Sequence, residues 1–256
     1  MQLLVYDGSF AGWLTVVFEV YEYKFNDVCI RTQAHAQPNA FGDTRVVETD
    51  TAKAARVWKG LQQKISANAA SQLYKSFLSE LPSIEDAMLR YARYVFQSKT
   101  IVECDYSHPD ILMVQQTSRK VHREKHRMEA FVRFQLTSDQ LYYAVVQPDF
   151  NVLPLIIRHF QTRYADQRWL IYDLRRRYGI YYDLKQVTTV DITFNENTSS
   201  GENISAVYDE TEPLYQMLWQ QYFSSVNIAA RKNTKLHVQH MPKRYWRYLT
   251  EKLESL

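Results

Sequence analysis

The chain opens with a short apolar run, Gln2 to Tyr6, followed by Asp7-Gly8-Ser9 and then by Phe10, Leu14, Val17, Phe18 and Tyr21 at spacings of three and four. A short apolar run bounded by turn residues reads as a strand, and the three-to-four recurrence reads as a helix with a serine placed to cap it. Two further strands are predicted at Asp27–Arg31 and Thr44–Val47, either side of the loop Gln37-Pro38-Asn39-Ala40-Phe41-Gly42. From Thr51 to Ser98 the pattern is helical: Thr51–Ile65, Ala67–Glu80 and, after the break at Leu81-Pro82, Ser83–Gln97. A proline suits a first helical turn, so His108-Pro109 begins another helix, which runs to about Met128.

Beyond that helix the period shortens. Glu129–Thr137 and Leu141–Gln147 are predicted as a hairpin around Ser138-Asp139-Gln140, Phe150–Tyr164 as a helix, and Trp169–Tyr172, Ile180–Asp183 and Val187–Thr193 as strands. Asn195–Asn203 is a polar loop, and helices at about Glu212–Arg231 and Pro242–Leu253 follow it. No internal repeat and no linker interrupt the chain. The expected fold is therefore α+β, with small mixed or antiparallel sheets packed with several helices, in a single compact two-lobed unit over residues 1–256. Its expected lobes are a mostly helical 1–105 and an α+β 106–256.

Charge changes the picture at one helix. Stepping about 100° per residue puts Ile111, Val114, Ser118, Val121 and Met128 on one face of the 109–128 helix, and Arg119, Lys120, Arg123 and Arg127 on the other. Four cations in so few turns repel one another as solvated surface residues, and a phosphate backbone is the commonest anionic partner for such a stripe. The net charge of +3 permits that partner without demanding it. Arg175-Arg176-Arg177-Tyr178, with Tyr181 and Tyr182 just beyond, interleaves cations and aromatics as a single-stranded nucleic-acid groove does. Lys243, Arg244 and Arg247 among Tyr245, Trp246 and Tyr248 form a third such cluster, with Trp246 and Leu249 expected as its core anchors. For the helical stripe a solvated face balanced by acidic neighbours in the fold remains the alternative, and for the second and third clusters ordinary surface cations paired to carboxylates.

The expected chemistry is otherwise sparse. His122 and His126 lie four apart, but the intervening Glu124 points to the other side of the helix and cations surround them, so no metal site is expected. With six glycines and neither a P-loop nor a dinucleotide fingerprint, no nucleotide cofactor is expected; no G-x-S-x-G is present either. Cys29 and Cys104 are expected as buried apolar residues. No stretch reaches the roughly 20 apolar residues of a membrane helix, and the N-terminal segment lacks a signal-peptide pattern, so no membrane association and a cytoplasmic location are expected.

Five segments taken together carry a resemblance: Tyr6-Asp7-Gly8-Ser9-Phe10, His126 through Phe134, His159-Phe160 with Arg163, Trp169-Leu170-Ile171-Tyr172-Asp173, and Arg244 through Glu251. In that order they resemble the bacterial family labelled "probable DNA metabolism protein", a domain of unknown function. The resemblance implies a context in DNA repair. Such proteins are encoded beside a radical SAM protein assigned to DNA repair, or are fused ahead of a uracil-DNA glycosylase-like domain. This sequence has neither that glycosylase nor the radical SAM cysteine motif, so it would be the accessory member of the pair, and no catalytic residue carries over from the family. The expected function is a DNA-binding accessory protein acting with the radical SAM partner through Arg119, Lys120, Arg123, Arg127, Arg175, Arg176 and Arg177. Two alternatives stand beside it. One is a module that docks that partner without touching DNA. The other is a nucleic-acid-processing enzyme whose cleft gathers the polar motif residues His126, Arg133, His159, Arg163 and Asp173.

Overall fold

A computed structural model describes residues 2–36, 43–138, 140–191 and 241–249, and the chain falls into two compact units, Met1–His122 and Arg123–Leu256. The expected lobe boundary at 105 lies ahead of the long fifth helix, whereas the division between the units falls inside it. The mixed α+β class is as expected. The expected loop 195–203 and helix 212–231 lie outside the described residues.

The first unit is built around a three-stranded, wholly parallel sheet in the order β2-β1-β3, formed by β1 (Gln2–Tyr6), β2 (Val28–Thr32) and β3 (Thr44–Val46). Strand β1 is central, and Leu3 to Tyr6 are buried. The chain leaves it through Gly8, whose φ of +85° is open to glycine and strained for other residues. Helix α1 (Phe10–Glu22) then starts where the Ser9 side chain accepts from the Gly12 amide at 2.9 Å. A side chain at Gly12 would place its Cβ 2.3 Å from Asp7 Oδ1. Only glycine lets that carboxylate lie over the first turn. It accepts there from the Ser9 amide at 2.8 Å and the Thr49 hydroxyl at 2.8 Å.

Three more helices follow, α2 (Thr51–Gln62), α3 (Ala67–Phe77) and α4 (Ile84–Gln97), with Asp50 and Ser66 capping the first two. Trp13, Val16, Leu61, Leu73, Ile84 and Met88 are buried in one apolar core with β1. Each such side chain stabilises by roughly 1.5–3 kcal/mol relative to exposure. Asp86 on α4 covers the outer edge of β2, accepting from the Ile30 amide at 2.7 Å and from Arg31 at 2.8 Å. Helix α5 (Pro109–Phe131) closes this unit with its N-terminal turns. Cys29 is half-buried and Cys104 exposed, so the expectation of two buried thiols does not hold. Cys104 sits in the turn-rich segment between α4 and α5.

The second unit holds a five-stranded sheet in the order β4-β5-β6-β7-β8: β4 (Gln135–Leu136), β5 (Tyr142–Val146), β6 (Trp169–Asp173), β7 (Tyr178–Tyr182) and β8 (Val187–Asp191). Helix α6 (Leu153–Arg163) joins β5 to β6, and these two strands run parallel; every other neighbouring pair is antiparallel. All five residues of β6 are buried. Trp169 stacks on Tyr182 at 5.5 Å and lies 6.1 Å from Phe160, so these aromatic rings fill the layer between α6 and the sheet.

One predicted strand is corrected. Glu129, Ala130 and Phe131 extend α5, and only Gln135 and Leu136 pair as β4. Met128 and Val132 are buried four apart, so the helical register continues past the residues read as alternating. Arg133 then stops the helix by donating to the carbonyls of Ala130 at 2.8 Å and Val132 at 3.2 Å. The described part of the last predicted helix is a 3-10 turn, Lys243–Tyr248, anchored by the buried Tyr245 and Leu249, with Trp246 only half-buried.

Candidate nucleic-acid interface

Helix α5 divides its faces as its spacing dictates. Ile111, Val114, Ser118, Val121 and Met128 are buried, while Arg119, Lys120 and Arg123 are exposed. None of these three cations makes an ion pair among the described residues. Arg127, one turn on, is different: its Nη1 lies 3.4 Å from the buried Glu124 carboxylate. The stripe thus consists of three unneutralised charges and one partly committed one.

A second concentration of charge lies in the second unit, at the carboxyl ends of the parallel pair β5 and β6. The register sets Val146 against Asp173, so the segments that leave both strands emerge side by side. The Asp173 side chain turns back onto its own hairpin, accepting from the Arg175 amide at 2.8 Å, the Arg176 amide at 3.3 Å and Arg176 Nη1 at 2.8 Å. Arg177 closes that turn with a φ of +57°, donating its amide to the Asp173 carbonyl at 2.8 Å. Arg176 also reaches the Pro148 and Asp149 carbonyls, both at 3.2 Å, and its side chain is 9% exposed. Arg175 donates to the Asp149 carbonyl at 2.7 Å, and the Tyr178 hydroxyl donates to Asn151 Oδ1.

Glu124 arrives from α5 with its side chain 1% exposed. One oxygen accepts from the Tyr245 hydroxyl and from the Asp149 amide at 2.8 Å, and the other lies 3.3 Å from Arg244 and 3.4 Å from Arg127. Arg244 also meets Asp149 Oδ2 at 2.5 Å. Burial, the hydrogen bond to Glu124 and that carboxylate's charge push the Tyr245 hydroxyl well above the usual phenol range. Burial pulls the Arg244 guanidinium down, and Tyr245, Asp149 and Glu124 outweigh it, leaving a net rise. The neighbouring Gln147 side chain accepts from Arg247 and, at 2.9 Å, from the Tyr248 hydroxyl.

The residues that hold this cluster lie within 82–251, the stretch that matches the model of a domain of unknown function, DUF4130. The chain belongs to this family. No curated protein matches the sequence. Among solved structures, a pGpG-specific phosphodiesterase, PggH from Vibrio cholerae, overlaps 88% of this chain and 99% of its own at 9% identity and a TM-score of 0.31. That overlap is too loose to define a shared arrangement of strands and helices. The DUF4130 match takes in α4, α5 and every described element of the second unit, and leaves β1 to α3 outside it.

Within the DUF4130 segment the expected cleft separates into parts. His126 and His159 do converge, on a residue the sequence reading passed over: Glu129, whose oxygens lie 3.8 Å from His126 Nδ1 and 3.7 Å from His159 Nδ1, with Lys125 at 2.6 Å. Both imidazole distances exceed a hydrogen bond. Arg163, one helical turn beyond His159, places its guanidinium 5.9 Å from the Tyr164 ring centre, and Arg133 is engaged at the end of α5. Asp173 belongs instead to the hairpin turn described above.

Sequence reasoning also missed Glu124 and Asp149. The one available signal was that Glu124 falls on the apolar side of an amphipathic helix, where a carboxylate needs partners. Among the described residues no group of three or more His, Cys, Asp or Glu side chains is arranged to hold a metal ion, and no helix is long and apolar enough to cross a membrane.

Proposed function

We propose that the protein is a DNA-binding accessory protein of DNA repair or modification, contacting phosphate through α5 while a radical SAM partner performs the chemistry. The observation that carries the reading is the line Arg119, Lys120, Arg123: exposed, within about 100° of one another around one helix, and without a carboxylate partner among the described residues. Cations left unneutralised on a rigid helix are what a phosphate backbone requires, since the affinity comes from counterion release. The DNA-metabolism family that the sequence motifs resemble supports the same reading. Arg177, exposed at the β6–β7 turn, and Arg175 beside it are further contacts in this proposal; Arg176 serves it indirectly, by fixing the turn.

The test is fluorescence anisotropy of labelled single- and double-stranded DNA across a salt series. With five phosphate contacts, log K against log salt should fall with a slope of roughly −3.5 to −4.5. Replacing Arg119 and Arg123 by glutamate should abolish binding. Affinity that ignores salt, or that survives both replacements, overturns the reading. Binding to the partner that persists in high salt without DNA would then favour a docking module.

A further inference from the structure

The arginines at the carboxyl ends of β5 and β6 are more than that loop needs. Arg127 and Arg244 share one oxygen of Glu124, at 3.4 Å and 3.3 Å. Arg244 also holds the Asp149 carboxylate at 2.5 Å, and Arg175 holds the same residue's carbonyl at 2.7 Å. Arg247 joins them two residues away along the chain, on the neutral side chain of Gln147. Among the described residues, four guanidiniums therefore face two carboxylates, because Asp173, the third acid nearby, is committed to Arg176. The surplus is two positive charges. A guanidinium carries five N–H donors, and each of these four uses only one nitrogen in its described contacts, so donors remain on all of them. The group is also open to solvent: Arg244 is 43% exposed and Arg127 is 29% exposed.

Its anchoring is unlike that of an ordinary surface cluster. The buried Glu124 and the raised, hydrogen-bonded Tyr245 hydroxyl fix Arg244 from beneath, which removes side-chain entropy before any ligand arrives. The segments following two adjacent parallel strands supply the rest, and that edge of a sheet is where ligands enter α/β folds. We infer that this cluster is a phosphate-monoester site, with Arg127, Arg175, Arg244 and Arg247 taking a dianionic phosphate group. A dianion neutralises the surplus of two charges, and the planar guanidinium forks match its oxygens in pairs. A diester, with one charge, leaves the surplus half compensated. The group is the terminal phosphate of a nucleic-acid strand or the phosphate of a free nucleotide. The former choice rests on the DNA-binding reading above.

The experiment titrates the full chain with inorganic phosphate, with a mononucleotide, and with a short oligonucleotide bearing either a 5′-phosphate or a 5′-hydroxyl. Calorimetry gives the affinities. Three proteins are compared: the natural chain, Arg247→Gln, and Arg119→Gln with Arg123→Gln. Arg247→Gln leaves the Glu124 network untouched, so it tests the site without removing its anchor. A strand site is expected to bind the phosphorylated oligonucleotide about tenfold or more tightly than the hydroxyl form. Arg247→Gln is expected to reduce that preference, and the two α5 replacements to leave it in place. Phosphate and mononucleotide binding without any strand binding would keep the site, identify its source as a free nucleotide, and sink the DNA reading. Equal affinity for the two oligonucleotides, with no binding of phosphate or mononucleotide, overturns the site while leaving α5 as a DNA surface.

Discussion

Asp50, Asp86 and Asp110 of the first unit and Glu124 and Asp149 of the second use their carboxylates in opposite ways. In the first unit, Asp50, Asp86 and Asp110 each serve the backbone or a single cation, while Glu19 pairs with Arg45 at 2.9 Å and Lys53 at 3.6 Å. Asp50 accepts from the amides of Ala52 and Lys53 at 2.8 and 3.0 Å, Asp86 from Ile30 and Arg31, and Asp110 from Arg90 alone, with its closest contact at 2.7 Å. The contacts of Asp50 cap a helix and those of Asp86 cover a strand edge, and none of the three acids gathers more than one cation. In the second unit Glu124 and Asp149 are shared among more guanidiniums than they can neutralise. Asp173 and Asp183 differ, since each closes its own turn in the manner of the first unit's acids. An acid that meets one partner is read as structure, whereas an acid surrounded by several arginines holds a positively charged surface in place.

The sharpest way to break that comparison is at Glu124. Replacing a buried carboxylate that receives a hydroxyl, an amide and two guanidiniums with Gln should cost about 3–5 kcal/mol of stability, read as a lower urea midpoint. A loss under ~1 kcal/mol would mean that the second unit does not depend on this anchor. A smaller effect is expected at Asp86→Ala, which frees the Ile30 amide and Arg31 and should cost about 1–3 kcal/mol by the same measurement. If Asp86→Ala proved as costly as Glu124→Gln, the contrast between these acids would not hold.

The smallest effect is a slope. Burial raises the Glu85 carboxyl above its ordinary value, and burial, together with the charge of Glu85, raises the Tyr6 hydroxyl beside it. Between the ordinary carboxylate value and the raised one, the folded chain holds a proton that the unfolded chain has released. Stability should therefore fall as pH rises through that window, and Glu85→Gln should flatten the fall, as followed by denaturation from about pH 4 to pH 7. An unchanged slope in the variant would assign the pH dependence to other groups.

Helix α5 shows how far the sequence reaches. Its buried face, its exposed cations and the placing of Glu124 opposite the histidines all follow from a step of about 100° per residue, which is a local property. Its end was misread because Glu129 to Arg133 alternates over too few residues to separate a strand from a helix whose next contacts, Met128 and Val132, sit four apart. The three basic clusters looked alike in sequence and differ in the structure. Arg119, Lys120 and Arg123 stay free among the described residues, Arg176 is bound to Asp173, and Arg244 is held by Glu124. The two histidines of the expected cleft meet at Glu129, which no spacing rule marked, because His159 arrives from a different helix.

What the sequence determined by itself was the α+β class, the strands and helices with strong periodicity, and which side of α5 carries its charge. Each depends on residues within a few turns of one another. The tertiary structure alone decided which cations find an acid, since Glu124 and Tyr245 stand 121 positions apart and meet only when the 3-10 turn packs beside the ends of β5 and β6. An ion pair falls off over a few ångströms, so its existence depends on the distance between side chains after folding, and periodicity along the chain carries no information about that distance.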